Sequence, residues 1–217
     1  MLKQNEAVLN FQKKVGEMLA SLPISPNVYT VASVFIAFFA AVAIATGNLY
    51  LGVGLFALSA IFDGFDGAVA RAKNQITRFG AFLDGVCDRI VEFFFLGAFF
   101  FYPLPKIFLE AQTYLFFLVF FGTALPAYIR AYADHKKVIS AEEANMMGGI
   151  FERGERVFLL TVSLFGGVIL GMEVFVYGII IALSLSIITC IQRISYVAKK
   201  AKDAEGNRDE YQDENQE

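Results

Sequence analysis

The chain has no tryptophan, a single histidine (His135), two cysteines and five prolines in 217 residues. One histidine excludes a His-rich metal site, and there is no C-x-x-C pair. Cys87 and Cys190 fall in separate apolar stretches, so no disulfide framework is implied. Charge is scarce too. Charged residues are 18% and hydrophobic residues 57%, with a mean hydropathy of +0.56. A soluble domain runs about 25% charged and about 45–50% apolar. Disorder over most of the chain is therefore excluded, and a soluble domain with one core is disfavoured. What is abundant is phenylalanine, 24 residues, which suits a lipid-facing surface.

The formal net charge of −3 is unevenly spread. Residues 201–217 hold seven acids against Lys202 and Arg208, and this stretch reads as an acidic, solvated, disordered tail. Residues 1–200 are expected to form one membrane domain. No basic stripe runs along them, so no nucleic-acid partner is expected. Met1 to Ser21 does not read as a signal peptide, because Lys13, Lys14 and Glu17 interrupt any apolar core. The apolar positions Val8, Leu9, Phe11, Val15, Met18 and Leu19 instead recur at helical spacing. That fits an amphipathic helix on the membrane interface, or equally a soluble helix packed on the loops.

A helix needs about 20 apolar residues to cross the hydrocarbon core. Residues 18–62 carry no charge, enough for two spans joined by a tight turn at Thr46-Gly47-Asn48. The pattern predicts an all-α integral membrane protein with six transmembrane helices, near 28–46, 49–72, 78–102, 111–131, 155–171 and 173–195. The fifth is short, and a re-entrant segment there would leave five. Six spans put both termini on one side, together with seventeen of the eighteen Lys and Arg residues; only Lys106 lies opposite. By the positive-inside rule that side is cytoplasmic, and the location is the cell membrane.

Spans two and three contain Asp63, Asp66, Asp84 and Asp88. An ionised group at the centre of a membrane helix costs at least about 2.5–3.5 kcal/mol, so four are not kept for packing. Asp63 and Asp66 stand at i, i+3, and Asp84 and Asp88 at i, i+4, so each pair shares a helix face. Counted from the short loop at 73–77, both pairs lie roughly 9–15 Å below the cytoplasmic mouth. Four like charges converging at one depth call for divalent cations with oxygen ligands, and one or two Mg²⁺ ions fit. Zinc is disfavoured by the missing His and thiolate ligands. Gly64, Gly67, Ala70, Gly80 and Gly85 allow close approach of helices or ligand. Arg71, one turn from the carboxylates, is a candidate phosphate clamp.

The run Asp63-Gly-Phe-Asp66-Gly67-Ala-Val-Ala70-Arg71, followed by Gly80, Asp84 and Asp88, has the pattern D-x2-D-G-x2-A-R-x8-G-x3-D-x3-D. It resembles the CDP-alcohol phosphotransferase signature at every fixed position. Pro26-Asn27-Val-Tyr-Thr30 resembles that family's approach to its first span, and the likeness covers nearly all of residues 5–200. The resemblance implies a transferase of phospholipid biosynthesis that moves a phosphatidyl-type group from a CDP-lipid to an alcohol and releases CMP. It implies that Asp63, Asp66, Asp84 and Asp88 hold two Mg²⁺ or Mn²⁺ ions, and that Asp88 is also the general base on the acceptor hydroxyl. It implies that Asn27, Thr30, Gly67, Arg71 and Thr77 bind the CDP moiety. A homodimer is compatible with the family.

The acceptor is less constrained. Tyr128-Ile-Arg130 and Gly148-Gly149-Ile-Phe-Glu152-Arg153-Gly-Glu155-Arg156 resemble the branch that makes phosphatidylinositol phosphate or archaetidylinositol phosphate. There the acceptor's phosphate would sit on Arg130, Arg153 and Arg193. The branch usually has serine where Ala127 stands, one phosphate donor fewer in this chain. The positive-inside rule alone also accounts for arginines at these span ends. Glycerol phosphate, serine or another alcohol as acceptor, CDP-inositol as donor, and an ion-coupled transporter are the alternatives; no paired broken helices in an internal repeat speak for the last.

Overall fold

The computed structural model describes residues 14 and 16–214, with side chains as far as residue 203. The described residues are helical, with no β-strand among them. The chain packs as two compact units, Met1–Pro103 and Leu104–Glu217.

The first unit is built on three helices, α1 (Pro26–Ala45), α2 (Leu49–Ala72) and α3 (Arg78–Ala98). Pro26 occupies the first turn of α1, where its missing N–H leaves nothing unsatisfied. The buried face of α1 runs Thr30, Ser33, Ala37, Ala40 and Ile44. Small side chains at this spacing let the neighbouring backbone come close, which is how membrane helices gain packing energy without a hydrophobic driving force. Gly52 of α2 uses that space. A Cβ there would lie 2.8 Å from the Ala40 carbonyl oxygen, so no larger residue fits without moving a helix. Ser59 Oγ then donates to Ser33 O at 2.8 Å across the same interface. Gly47 turns the chain between the two helices at a φ of +93°.

Asn74 adopts a φ of 54° at the end of α2, and Gln75 N reaches back to Ala70 O at 2.9 Å. This closes the helix in a left-handed cap. Thr77 then caps α3, its Oγ1 accepting from Gly80 N at 2.9 Å. The amphipathic helix expected over residues 5–22 falls mostly outside the described residues. Its described end, 16–20, is helical, and Gly16 is buried where a Cβ would lie 2.6 Å from Ala68 O.

The second unit opens with α4 (Ala111–Leu118), a π-helical turn at Val119–Ala124 and α5 (Leu125–His135). The expected span near 111–131 lies within one apolar run, Ala111–His135, that contains this π turn. Pro126 lacks an N–H and its ring would clash with the carbonyl four residues back, so the helix widens ahead of it. The next elements are α6 (Ala141–Met146), α7 (Arg153–Leu170) and α8 (Glu173–Glu214). A side chain at Gly178 of α8 would run into Ser163 of α7, and Gly171, at a φ of +116°, turns the chain between them. Ser140 and Glu143 form a reciprocal capping box at the start of α6. Lys200 Nζ of α8 meets Glu143 Oε1 at 2.6 Å, and this ammonium holds the Glu143 carboxyl below the usual carboxylate range.

Four stretches are long and apolar enough to cross a membrane: α1, α2, the run Ala111–His135, and Glu173–Asp203. Phe35, Phe39, Leu51, Phe116, Ile181 and Ile191 stand exposed on them, as lipid-facing side chains do. The chain is a membrane protein. Helix α3 has the length, 21 residues, but carries Arg78, Asp84, Asp88, Arg89 and Glu92. Helix α7 has 18 residues and opens on Arg153, Glu155 and Arg156. The expected disordered tail from residue 201 differs as well, since α8 continues as helix to Glu214. Ala201, Lys202, Ala204 and Glu205 are strong helix formers, and no proline stops the run.

Candidate functional site

The α2–α3 hairpin brings carboxylates together as the i, i+3 and i, i+4 spacings require. Oxygens of Asp63, Asp66 and Asp84 all lie within 4.8 Å of one another, a set able to hold a metal ion. Hard oxygen donors alone suit Mg²⁺ or Mn²⁺ and fit neither zinc nor copper. Asp88 stands outside this triad, one helical turn beyond Asp84, with one carboxylate oxygen buried. Asp66 is the most buried member. It is 9% exposed, Thr30 Oγ1 donates to its Oδ2, and the Gly67 N–H donates to its Oδ1. Two donors on a carboxylate stabilise its charged form and fix its remaining lone pairs for a cation.

A cavity of about 220 Å³ lies against the triad. Asn27, Thr30, Gly67, Arg71 and Thr77 all line it, with Asp66 and Asp84 at one wall. The local reasons are visible. Arg71 lies back along α2, so that a Cβ on Gly67 would sit 3.3 Å from its Nη1. A Cβ on Gly80 would lie 3.0 Å from Thr77 Oγ1 and 3.4 Å from Asn27 Oδ1. Glycine at 80 therefore lets the start of α1 close on the start of α3. The structure also refines two of the five residues. Thr30 commits its hydroxyl proton to Asp66, so it orients a carboxylate. Thr77 uses its oxygen to cap α3.

Pro26, Ala70, Gln75, Ile76, Gly80 and Ala81 complete the lining, and of these Gln75, Ile76 and Ala81 were not legible in the sequence. Gln75, Ile76 and Ala81 carry no motif, and their place follows from the cap that bends the loop back. Lys73 was missed too. Its Nζ donates to Leu22 O and Ile24 O, each at 2.7 Å, and fastens the approach to α1 onto the end of α2. Its position after a span reads as an ordinary membrane-end anchor. Glu92 is a third acid on α3, 4% exposed and one turn past Asp88.

In the second unit, Arg130 and Arg193 meet at one carboxylate. Arg193 Nη2 bonds Glu152 Oε1 at 2.9 Å, and Arg130 Nη2 lies 3.9 Å from Glu152 Oε2. Arg193 Nη1 also donates to Pro126 O at 2.7 Å, and Arg130 Nη2 to Met147 O at 2.7 Å. Arg153 opens α7 next to Glu152.

These features define a helical membrane protein with an acidic cluster able to hold a cation beside a cavity lined by Arg71. Residues 23–191 match the CDP-alcohol phosphatidyltransferase family, and the chain belongs to it. The archaetidylinositol phosphate synthase of Pyrococcus horikoshii is 35% identical over 87% of this chain and 90% of its own length. The phosphatidylinositol phosphate synthase of Corynebacterium glutamicum is 33% identical over 85% and 83%. In fold, the chain is similar to Mycobacterium tuberculosis phosphatidylinositol phosphate synthase solved with manganese and citrate. That match has a TM-score of 0.71 at 23% identity and covers 86% of this chain and 88% of the other.

Proposed function

We propose that the protein transfers a phosphatidyl or archaetidyl group from a CDP-lipid to a phosphorylated polyol, inositol 1-phosphate, with release of CMP. The observation that carries the acceptor reading is the pairing of Arg130 and Arg193 around one carboxylate. Two guanidiniums held together suit a phosphomonoester dianion, and a free polyol would gain nothing from them. The names of the two relatives above support the same acceptor. Arg153 completes the proposed acceptor set.

On the donor side, Asn27, Gly67 and Arg71 hold the CDP moiety, with Thr30 and Thr77 shaping their surroundings. Asp63, Asp66, Asp84 and Asp88 hold two Mg²⁺ or Mn²⁺ ions. When bound, such ions neutralise the pyrophosphate and stabilise CMP as it leaves. Asp88 takes the proton from the acceptor hydroxyl. The freed oxygen forms a bond to the lipid-linked phosphorus as the bond to the CMP oxygen breaks. Asp88 suits the role because it stands apart from the tight triad.

Six spans, an interfacial N-terminal helix and cytoplasmic termini complete the reading, in a protein that works as a monomer or homodimer. The seventeen-to-one distribution of Lys and Arg supports this orientation. A site roughly 9–15 Å below the cytoplasmic face lets the lipid tails stay in the bilayer while a soluble acceptor arrives from water.

The test is an acceptor panel with labelled CDP-lipid and Mg²⁺ or Mn²⁺. Inositol 1-phosphate should be used and free inositol should not. Ala127, in place of the serine usual in the branch, favours one second reading, glycerol phosphate as acceptor. Preference for serine or another unphosphorylated alcohol would overturn both.

A further inference from the structure

Two arginines repel each other, and something must keep them side by side. In this structure Glu152 does so. Arg193 is 4% exposed, with one terminal nitrogen on Pro126 O and the other on Glu152 Oε1. Arg130 has a terminal nitrogen on Met147 O and near Glu152 Oε2. Both guanidiniums are thus anchored through their terminal nitrogens. The Nε atoms of Arg130 and Arg193 are buried and have no hydrogen-bond partner among the described residues. A buried donor left without a partner costs free energy unless a ligand takes it.

The place of Glu152 is itself determined. Residues 147–152 run along α8 as a strap. Ile150 N donates to Gln192 Oε1 at 3.0 Å, and Phe151 N to Thr189 Oγ1 at 3.2 Å. A Cβ on Gly149 would lie 2.3 Å from Thr189 Cγ2, so only glycine lets the strap sit this close. Glu155 Oε2 accepts from Glu152 N at 3.0 Å and fixes the turn into α7. The strap delivers one carboxylate between two cations.

We infer that Glu152 is a positioning residue for the acceptor's phosphate. Its charge holds Arg130 and Arg193 as a preorganised pair and leaves their Nε donors for the incoming anion. This rests on the acceptor reading above. Without Glu152 the pair separates, Arg130 first because its contact is the longer. The acceptor then has to order an arginine before it can bind.

The test uses the full-length enzyme in mixed micelles with CDP-lipid, Mg²⁺ and inositol 1-phosphate. Glu152→Gln keeps size and removes charge. It should raise the acceptor KM about tenfold, equivalent to about 1.4 kcal/mol. The kcat and the CDP-lipid KM should stay within about twofold. Glu152→Asp keeps the charge on a shorter stem and should fall between Gln and wild type, which also covers the case where the Gln variant does not fold. Glu155→Gln removes a neighbouring charge but keeps a side-chain oxygen to accept from Glu152 N, so the turn should hold and the acceptor KM should stay unchanged. An unchanged acceptor KM in both Glu152 variants overturns the inference. So does an equal rise in Glu155→Gln, which would make Glu152 a capping residue alone. If wild-type enzyme uses free inositol as well as its phosphate, the acceptor reading itself fails, visible before any variant is compared.

Discussion

Thr30 of α1 donates its hydroxyl proton to the Asp66 carboxylate of α2, a buried bond between residues 36 apart in sequence. The bond joins a helix-packing residue to a cation ligand. It therefore couples the α1–α2 interface to the orientation of the acidic triad.

Thr30→Val keeps the shape and removes that donor. The protein should fold, because the rest of the α1 face is unaltered. The apparent affinity for Mg²⁺ or Mn²⁺ should fall about 10–100-fold, as when other orienting partners of ligands are lost. Titration of activity against metal concentration reads this directly. An unchanged activation constant would make Thr30 a packing residue only.

Gly67→Ala places a methyl 3.3 Å from Arg71 Nη1. The long arginine can yield, so stability should change little, but its guanidinium should leave its place along α2. The CDP-lipid KM should rise about tenfold, the loss of one charge-assisted bond, with acceptor KM unchanged. Steady-state kinetics with each substrate varied in turn distinguishes the two.

Asp88→Asn should retain CDP-lipid binding and lose turnover by about 10²–10⁴-fold, if Asp88 is the base. Asp63→Asn should lose metal and nucleotide binding together, since Asp63 belongs to the triad. Chelation with EDTA should abolish wild-type turnover, and added Mg²⁺ or Mn²⁺ should restore it. Near wild-type turnover by Asp88→Asn would place the base elsewhere.

The Glu143–Lys200 contact carries a pH dependence. Its bonds to Lys200 and Ser140 depress the Glu143 pKa in the folded state. The stabilisation is therefore present above the ordinary Glu pKa of about 4.3 and is lost as pH falls through the depressed folded value. Glu143→Gln should melt slightly below wild type at neutral pH, and the two should converge in acid. The difference should be small because the pair is still partly exposed and screened by salt.

The acidic triad and the cavity beside it were legible in the chain because their spacing is local. Asp63, Asp66, Gly67, Arg71, Gly80, Asp84 and Asp88 lie on two helices joined by a short loop, so helical periodicity alone determines which of them share a face. Hydropathy located four of the expected spans because a backbone in lipid has to satisfy itself, which makes long apolar runs helices. Where the chemistry depends on distant segments, the sequence was silent. Lys73 reads as a membrane anchor until the Leu22 and Ile24 carbonyls are seen around its ammonium. Thr30 reads as a ligand contact until its hydroxyl is seen to donate a hydrogen bond to Asp66. The π turn ahead of Pro126 was missed because hydropathy does not register backbone hydrogen bonding. Glu152 reads as a local partner of its neighbours. Only the packing of the 147–152 strap on α8, permitted by the bare Cα of Gly149, puts its carboxylate between Arg130 and Arg193. Sequence spacing determines faces within one helix, whereas contacts between helices follow from side-chain volumes that only the folded chain brings together.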